Sequence, residues 1–151
     1  MGEQSLISEL FTSFREVNQS FYQSMQRAGQ HLGITPIQLL VMKSLIHKPE
    51  MSLSELADCL FVGPSTASGI VERMVKAKLV LRERPENDRR SISLRLTPLG
   101  EELWAKINER RQKMLMPLTE LGENDLNELL RIHGNIVHIL QRVREENKED
   151  E

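Results

Sequence analysis

The stretch from Ser52 to Leu79, SLSELADCLFVGPSTASGIVERMVKAKL, constrains the fold more than any other part of the chain. Ser52 followed three residues later by Glu55 is the signature of a capping box, so a helix starts here with Leu53, Leu56, Ala57 and Leu60 facing inward. It ends near Phe61. Gly63 then suits a turn and Pro64 the first position of a second helix, whose buried side would be Ala67, Ile70, Val71 and Met74. Two short amphipathic helices joined by about four residues define a helix-turn-helix.

The flanking segments follow from their periods. Thr35, Pro36 and Gln38 form another helix start, with Ile37, Leu40, Val41, Ser44 and Leu45 on one stripe. After Leu79 the period falls to two: Ile92, Leu94 and Leu96 alternate with Ser93, Arg95 and Thr97, while Leu79 and Leu81 alternate less cleanly with Val80 and Arg82. That predicts a two-stranded hairpin with its tip at residues 85–90. Thr97-Pro98 starts a fifth helix carrying Leu103, Trp104, Ile107, Met114, Leu115 and Leu118, and a last helix runs from about Glu123. Leu6, Leu10, Phe14, Val17, Phe21, Met25, Ala28 and Leu32 hold helical spacing across residues 6–32.

The expected fold class is therefore mostly α with a small β-hairpin wing. It is a winged helix-turn-helix over residues 35–99, flanked by dimerisation helices at 1–34 and 100–147, with a disordered acidic tail at 148–151. The terminal helices are too long and too broadly apolar to be covered by a domain of about sixty residues, and a symmetric homodimer is the economical way to bury them.

Charge is segregated along the chain. The formal net charge is -2, yet from Val62 to Thr97 eight Lys and Arg face four Asp and Glu, which gives +4 and leaves -6 for the flanks. An overall acidic chain is not a coat for nucleic acid, but a basic middle suits a local contact with it. No apolar run is long enough for a membrane span and no leader is read at the start, so a cytoplasmic location is expected. The single cysteine, Cys59, excludes an internal disulfide. No nucleophile-base pair, paired-carboxylate site or phosphate loop is legible, and neither an enzyme nor a cofactor is expected.

The second helix of a helix-turn-helix enters the major groove by its N-terminal end, where small polar side chains reach base edges. Here the outward residues are Ser65, Thr66, Ser68, Gly69 and Arg73. Beside them the hairpin carries Arg82, Arg84, Arg89, Arg90 and Arg95 around a Pro-Glu-Asn-Asp turn. A wing in that place meets the neighbouring minor groove, which favours inserted arginine. Asp88 would brace the turn, through loop amides or Arg84, and free Arg90 and Arg89 for DNA. The rival reading is an adaptor that uses the same basic face to bind an acidic protein.

With these residues in place, the chain resembles the MarR family of bacterial winged-helix transcription regulators. The resemblance rests on LGITPIQLLVMKSL, on the helix-turn-helix stretch, and on Asp88-Arg89-Arg90 followed by Leu96-Thr97-Pro98-Leu99-Gly100. It implies an obligate homodimer on a palindromic double-stranded DNA operator, usually repression, and often release by a small-molecule effector or an oxidant. Two positions depart from the family pattern: Gly69, where a larger polar or basic residue is common, and Lys78, in place of the glycine that ends the recognition helix.

Three smaller expectations complete the sequence reading. Cys59 is a structural thiol or, alternatively, an oxidant sensor, although the oxidant-sensing members carry their cysteine near the start of the first helix. The histidines, His31, His47, His133 and His138, have no i, i+4 spacing, so no metal site is expected. Tyr22, Met25, Met42 and Trp104 are either core residues or the lining of an effector pocket.

Overall fold

The computed structural model describes residues 2–84 and 92–149. The chain divides into two compact units, Met1–Lys113 and Met114–Glu151. The first holds helices α1 (Glu3–Gln30), α2 (Pro36–His47), α3 (Leu53–Leu60) and α4 (Pro64–Lys76), strands β1 (Met51–Ser52), β2 (Val80–Glu83) and β3 (Ser93–Leu96), and most of α5 (Pro98–Leu115). The second holds a 3₁₀ turn, Met116–Leu121, and α6 (Glu123–Glu149).

The core of the first unit gathers Leu39, Met42 and Leu45 from α2, Leu56 from α3, Ile70, Val71 and Met74 from α4, Leu94 from β3, and Trp104 and Ile107 from α5. Removing such side chains from water stabilises the fold by about 2 kcal/mol apiece before entropy is counted. The inward residues of α3 and α4 are those that the sequence periodicity selects.

Both capping boxes form. The Gln38 amide donates to Thr35 Oγ1 and the Thr35 amide to Gln38 Oε1; Ser52 and Glu55 repeat the exchange. At Glu55 a further donor, Lys48 Nζ at 2.6 Å, joins the Ser52 amide, and these bonds, the lysine's first, hold the Glu55 carboxyl down to about 2. A carboxyl depressed in the folded state stabilises it above the unfolded value of about 4.5, and that contribution is lost as pH falls towards about 2. We expect Glu55→Gln, which can still accept from the Ser52 amide, to flatten this part of the acid-unfolding profile. Denaturation midpoints of the two proteins compared across that window test it; parallel profiles would disconnect Glu55 from acid sensitivity.

The helix C-termini share a device less visible in the sequence. In α1 the amides of Gly33 and Ile34 donate to the Gln30 and Gly29 carbonyls; in α3 those of Phe61 and Val62 donate to Asp58 and Ala57; in α4 those of Lys78 and Leu79 donate to Val75 and Met74. Each is a Schellman ending, with a left-handed residue followed by an apolar one that turns into the core. The left-handed residues are Gly33, Phe61 and Lys78, with φ of 70°, 54° and 59°. Lys78 thus keeps the geometry of a helix-ending glycine, at a steric disadvantage of about 1 kcal/mol. Replacing it with glycine is expected to stabilise the protein by about that amount, read as a raised urea midpoint; a lowered midpoint would show that the lysine side chain contributes more than its backbone strain costs.

The sheet differs from the expected two-stranded hairpin. It has three antiparallel strands in the order β1-β3-β2, with Met51 opposite Leu94 and Val80 opposite Leu96. Strand β1 arises because Glu50, at φ 65°, turns its amide onto the Leu94 carbonyl. The strict alternation also gives way at the ends of β3. Ile92 is exposed while Ser93 and Thr97 are buried. Ser93 Oγ donates to the Glu83 carbonyl and Thr97 Oγ1 to the Lys78 carbonyl, so hydrogen bonds satisfy these inward polar groups. At the start of β2, Val80 is buried and Leu81 exposed, while Leu79, just before the strand, is buried because it serves the Schellman ending.

Candidate nucleic-acid interface

Helix α4 presents Ser65, Thr66 and Arg73 to solvent, with Ser68 and Gly69 half-buried at the edge of the same surface. The opposite side, Ala67, Ile70, Val71 and Met74, is buried. Its N-cap, Gly63, supplies no side-chain acceptor, in contrast to Thr35 and Ser52, so no cap side chain occupies the first-turn amides of α4. A helix start of this kind favours anionic oxygen. A Cβ built on Gly69 meets nothing within 4 Å, so packing inside the chain does not require glycine there.

Helix α4 leads through Lys78 into β2, and Arg82 on that strand and Arg84 just after it are exposed. Arg73, Lys78, Arg82 and Arg84 form no ion pair among the described residues. Lys76 is paired with Glu72 at 3.2 Å. Arg95, which a count of charges groups with the wing arginines, is held at 2.5 Å by Glu50 and at 3.8 Å by Glu83. It braces the sheet. Asp88, Arg89 and Arg90 lie outside the described residues.

The base of this surface is fastened to α5 by one side chain. Thr97 Oγ1 donates to the Lys78 carbonyl at 2.7 Å and accepts from the Gly100 amide at 2.9 Å, while the Thr97 amide donates to the Leu79 carbonyl at 3.0 Å. Thr97 therefore caps α5 and ties it to the end of α4. Sequence reading identified the cap but not this tie, which joins residues far apart in the chain.

Phe61 was also missed. It is 90% exposed in the turn between α3 and α4, so its ring contributes nothing to the core. Of the expected effector residues, Met42 and Trp104 are in the core and Met25 packs against it, whereas Tyr22 is exposed. Cys59 is exposed on α3.

A recognition helix packed on a preceding short helix, leading into a three-stranded sheet whose Arg82 is exposed, defines a winged helix-turn-helix. Residues 32–91 match the MarR family model. That match, together with the regulators described next, supports a winged-helix transcription regulator similar to the MarR family. It is 24% identical over 143 residues to the HTH-type transcriptional regulator MgrA of Staphylococcus aureus, a match covering 95% of each chain. Its fold is similar to that of Staphylococcus aureus MarR in complex with salicylate and kanamycin, with a TM-score of 0.81, 20% identity and coverage of 91% and 94%. It is similar also to the transcriptional repressor CouR bound to a 23-mer DNA duplex, with a TM-score of 0.75, 23% identity and coverage of 91% and 98%. These relatives are regulators rather than enzymes. Among the described residues no helix is long and apolar enough to cross a membrane.

Proposed function

We propose that this chain is a homodimeric repressor that reads a two-fold-symmetric operator, with α4 in the major groove and the wing in the adjoining minor groove, and that a small molecule modulates its DNA binding. The observation that carries the reading is the exposure of Ser65, Thr66 and Arg73 on α4, followed along the chain by the exposed Arg82 and Arg84, which form no ion pair among the described residues. Ser68 and Gly69 flank the base-reading surface, and the open space over Gly69 suits close approach of a DNA backbone. Arg89 and Arg90 supply the wing contact, with Asp88 as its brace. CouR, a repressor in complex with DNA, supports the repressor assignment, and MarR in complex with salicylate supports an effector.

Support for the dimer comes from the terminal helices. Of the 28 residues of α1 only Ala28 and Gly29 are buried, and Leu6, Ile7, Leu10, Phe11, Val17, Phe21 and Tyr22 are exposed. On α6, Leu129, Leu130, Val137, Leu140 and Val143 are exposed as well. Apolar stripes of this length call for a partner, and isologous pairing covers both copies at once.

Selection of duplexes from a randomised library at roughly physiological salt tests the reading, because non-specific phosphate contacts weaken there. We expect enrichment of a two-fold-symmetric site with half-sites about one helical turn apart. Arg73→Ala and the double variant Arg89→Ala/Arg90→Ala are each expected to lose about 1 to 3 kcal/mol on that site. Enrichment of no site, with retained binding to an acidic protein partner, would replace this reading by the adaptor.

A further inference from the structure

The outer side of α2 meets β1 and the end of α3 in a cavity of about 430 Å³, separate from the residues assigned to DNA. Leu40, Met51 and Leu60 give it an apolar wall. Lys43, His47 and Lys48 also line it, and no carboxylate does. The three basic groups are not equivalent. Lys48 is neutralised by Glu55 at 2.6 Å, and the His47 ring donates from Nδ1 to the Lys43 carbonyl at 2.8 Å, which fixes its orientation. The Lys43 ammonium has no ion pair among the described residues.

An apolar wall bordered by an uncompensated ammonium selects for a ligand with the opposite arrangement. The volume lies within the range of small-molecule pockets, roughly 300 to 1,000 Å³. We propose that this groove binds a small amphipathic monocarboxylate, with its apolar body against Leu40, Met51 and Leu60 and its headgroup on Lys43. A neutral hydrocarbon would leave the ammonium unused, and a polyanion would bury too little against the apolar wall. The groove borders α3, which precedes the recognition helix α4, and β1, which pairs with the wing strand β3. Its occupancy does not depend on how the operator is read.

Cys59, the chain's only cysteine, lines the same groove and is exposed, so it reports occupancy directly. The experiment follows iodoacetamide modification of Cys59 by intact mass in the full-length protein, with decanoate or decanol added below micelle-forming concentration. Decanoate is expected to slow modification about fivefold more than decanol, the worth of one partly exposed charge pair. Lys43→Gln is expected to keep the unprotected rate and lose the carboxylate's advantage, whereas Lys48→Gln keeps it. Equal protection by the two compounds, no protection by either, or an advantage that survives Lys43→Gln would overturn the proposal. Protection by an acidic peptide but not by decanoate would also overturn it and make the groove a protein-docking face.

Discussion

Replacing Gly100 with alanine is expected to destabilise the protein by about 3 kcal/mol, the upper part of the usual range for overpacking. A Cβ on Gly100 falls 2.3 Å from the Leu79 carbonyl oxygen and 3.2 Å from its carbon. Both are backbone atoms, so no side-chain rotation relieves the clash. The same carbonyl accepts from the Thr97 amide, and the Gly100 amide donates to Thr97 Oγ1. Moving α5 aside therefore strains the α5 cap together with the tie between α4 and the base of β2. Urea unfolding at matched protein concentration measures the loss, since association with a partner would make the midpoint concentration-dependent. An unchanged midpoint would mean that α5 can slide without disturbing those bonds. Because the displaced segment carries the wing, operator affinity of the folded variant is expected to fall as well.

This junction shows what a sequence displays and what it conceals. The starts of α2 and α3 were legible because a capping box is an exchange between residues three apart, written in adjacent letters. The end of α3 near Phe61 and the helix-ending place of Lys78 were legible, but the left-handed backbone at both was not, because no glycine marks it. Strand β1 was not legible: it is two residues long and exists through pairing with β3, some forty residues later. Ile92 was assigned inward by alternation alone, whereas Ser93 and Thr97 take the buried places through hydrogen bonds that a hydrophobic period does not register.

The same distinction runs through the candidate site. Periodicity was enough to put Ser65, Thr66 and Arg73 on the outer face of α4, because the buried residues of that helix leave them nowhere else to point. It could not separate Arg95 from Arg82 and Arg84. Glu50, 45 residues away in the chain, makes that distinction by pairing with Arg95. A local surplus of positive charge thus overstates the number of cations free to meet phosphate, and the pairing of each one decides which remain.

Trp104→Ala is expected to cost about 4 kcal/mol, as for large aromatic side chains removed from a core. The indole is 8% exposed and belongs to the same cluster as Met42, Leu45 and Ile107. The Arg111 guanidinium lies 5.9 Å from the ring centroid, and Arg111 also donates to Asn108 Oδ1 at 2.7 Å, so truncation removes one partner of a partly buried cation. Trp104→Phe keeps most of the volume and should cost under about 1.5 kcal/mol. Because Trp104 is the only tryptophan, unfolding has to be followed by far-ultraviolet circular dichroism. A wall residue of a ligand pocket, already facing a void on one side, would lose less on truncation than a residue packed all round. A loss below about 1 kcal/mol would therefore move Trp104 from the core to a pocket wall, whereas a loss near the expected value makes its fluorescence a reporter of core packing.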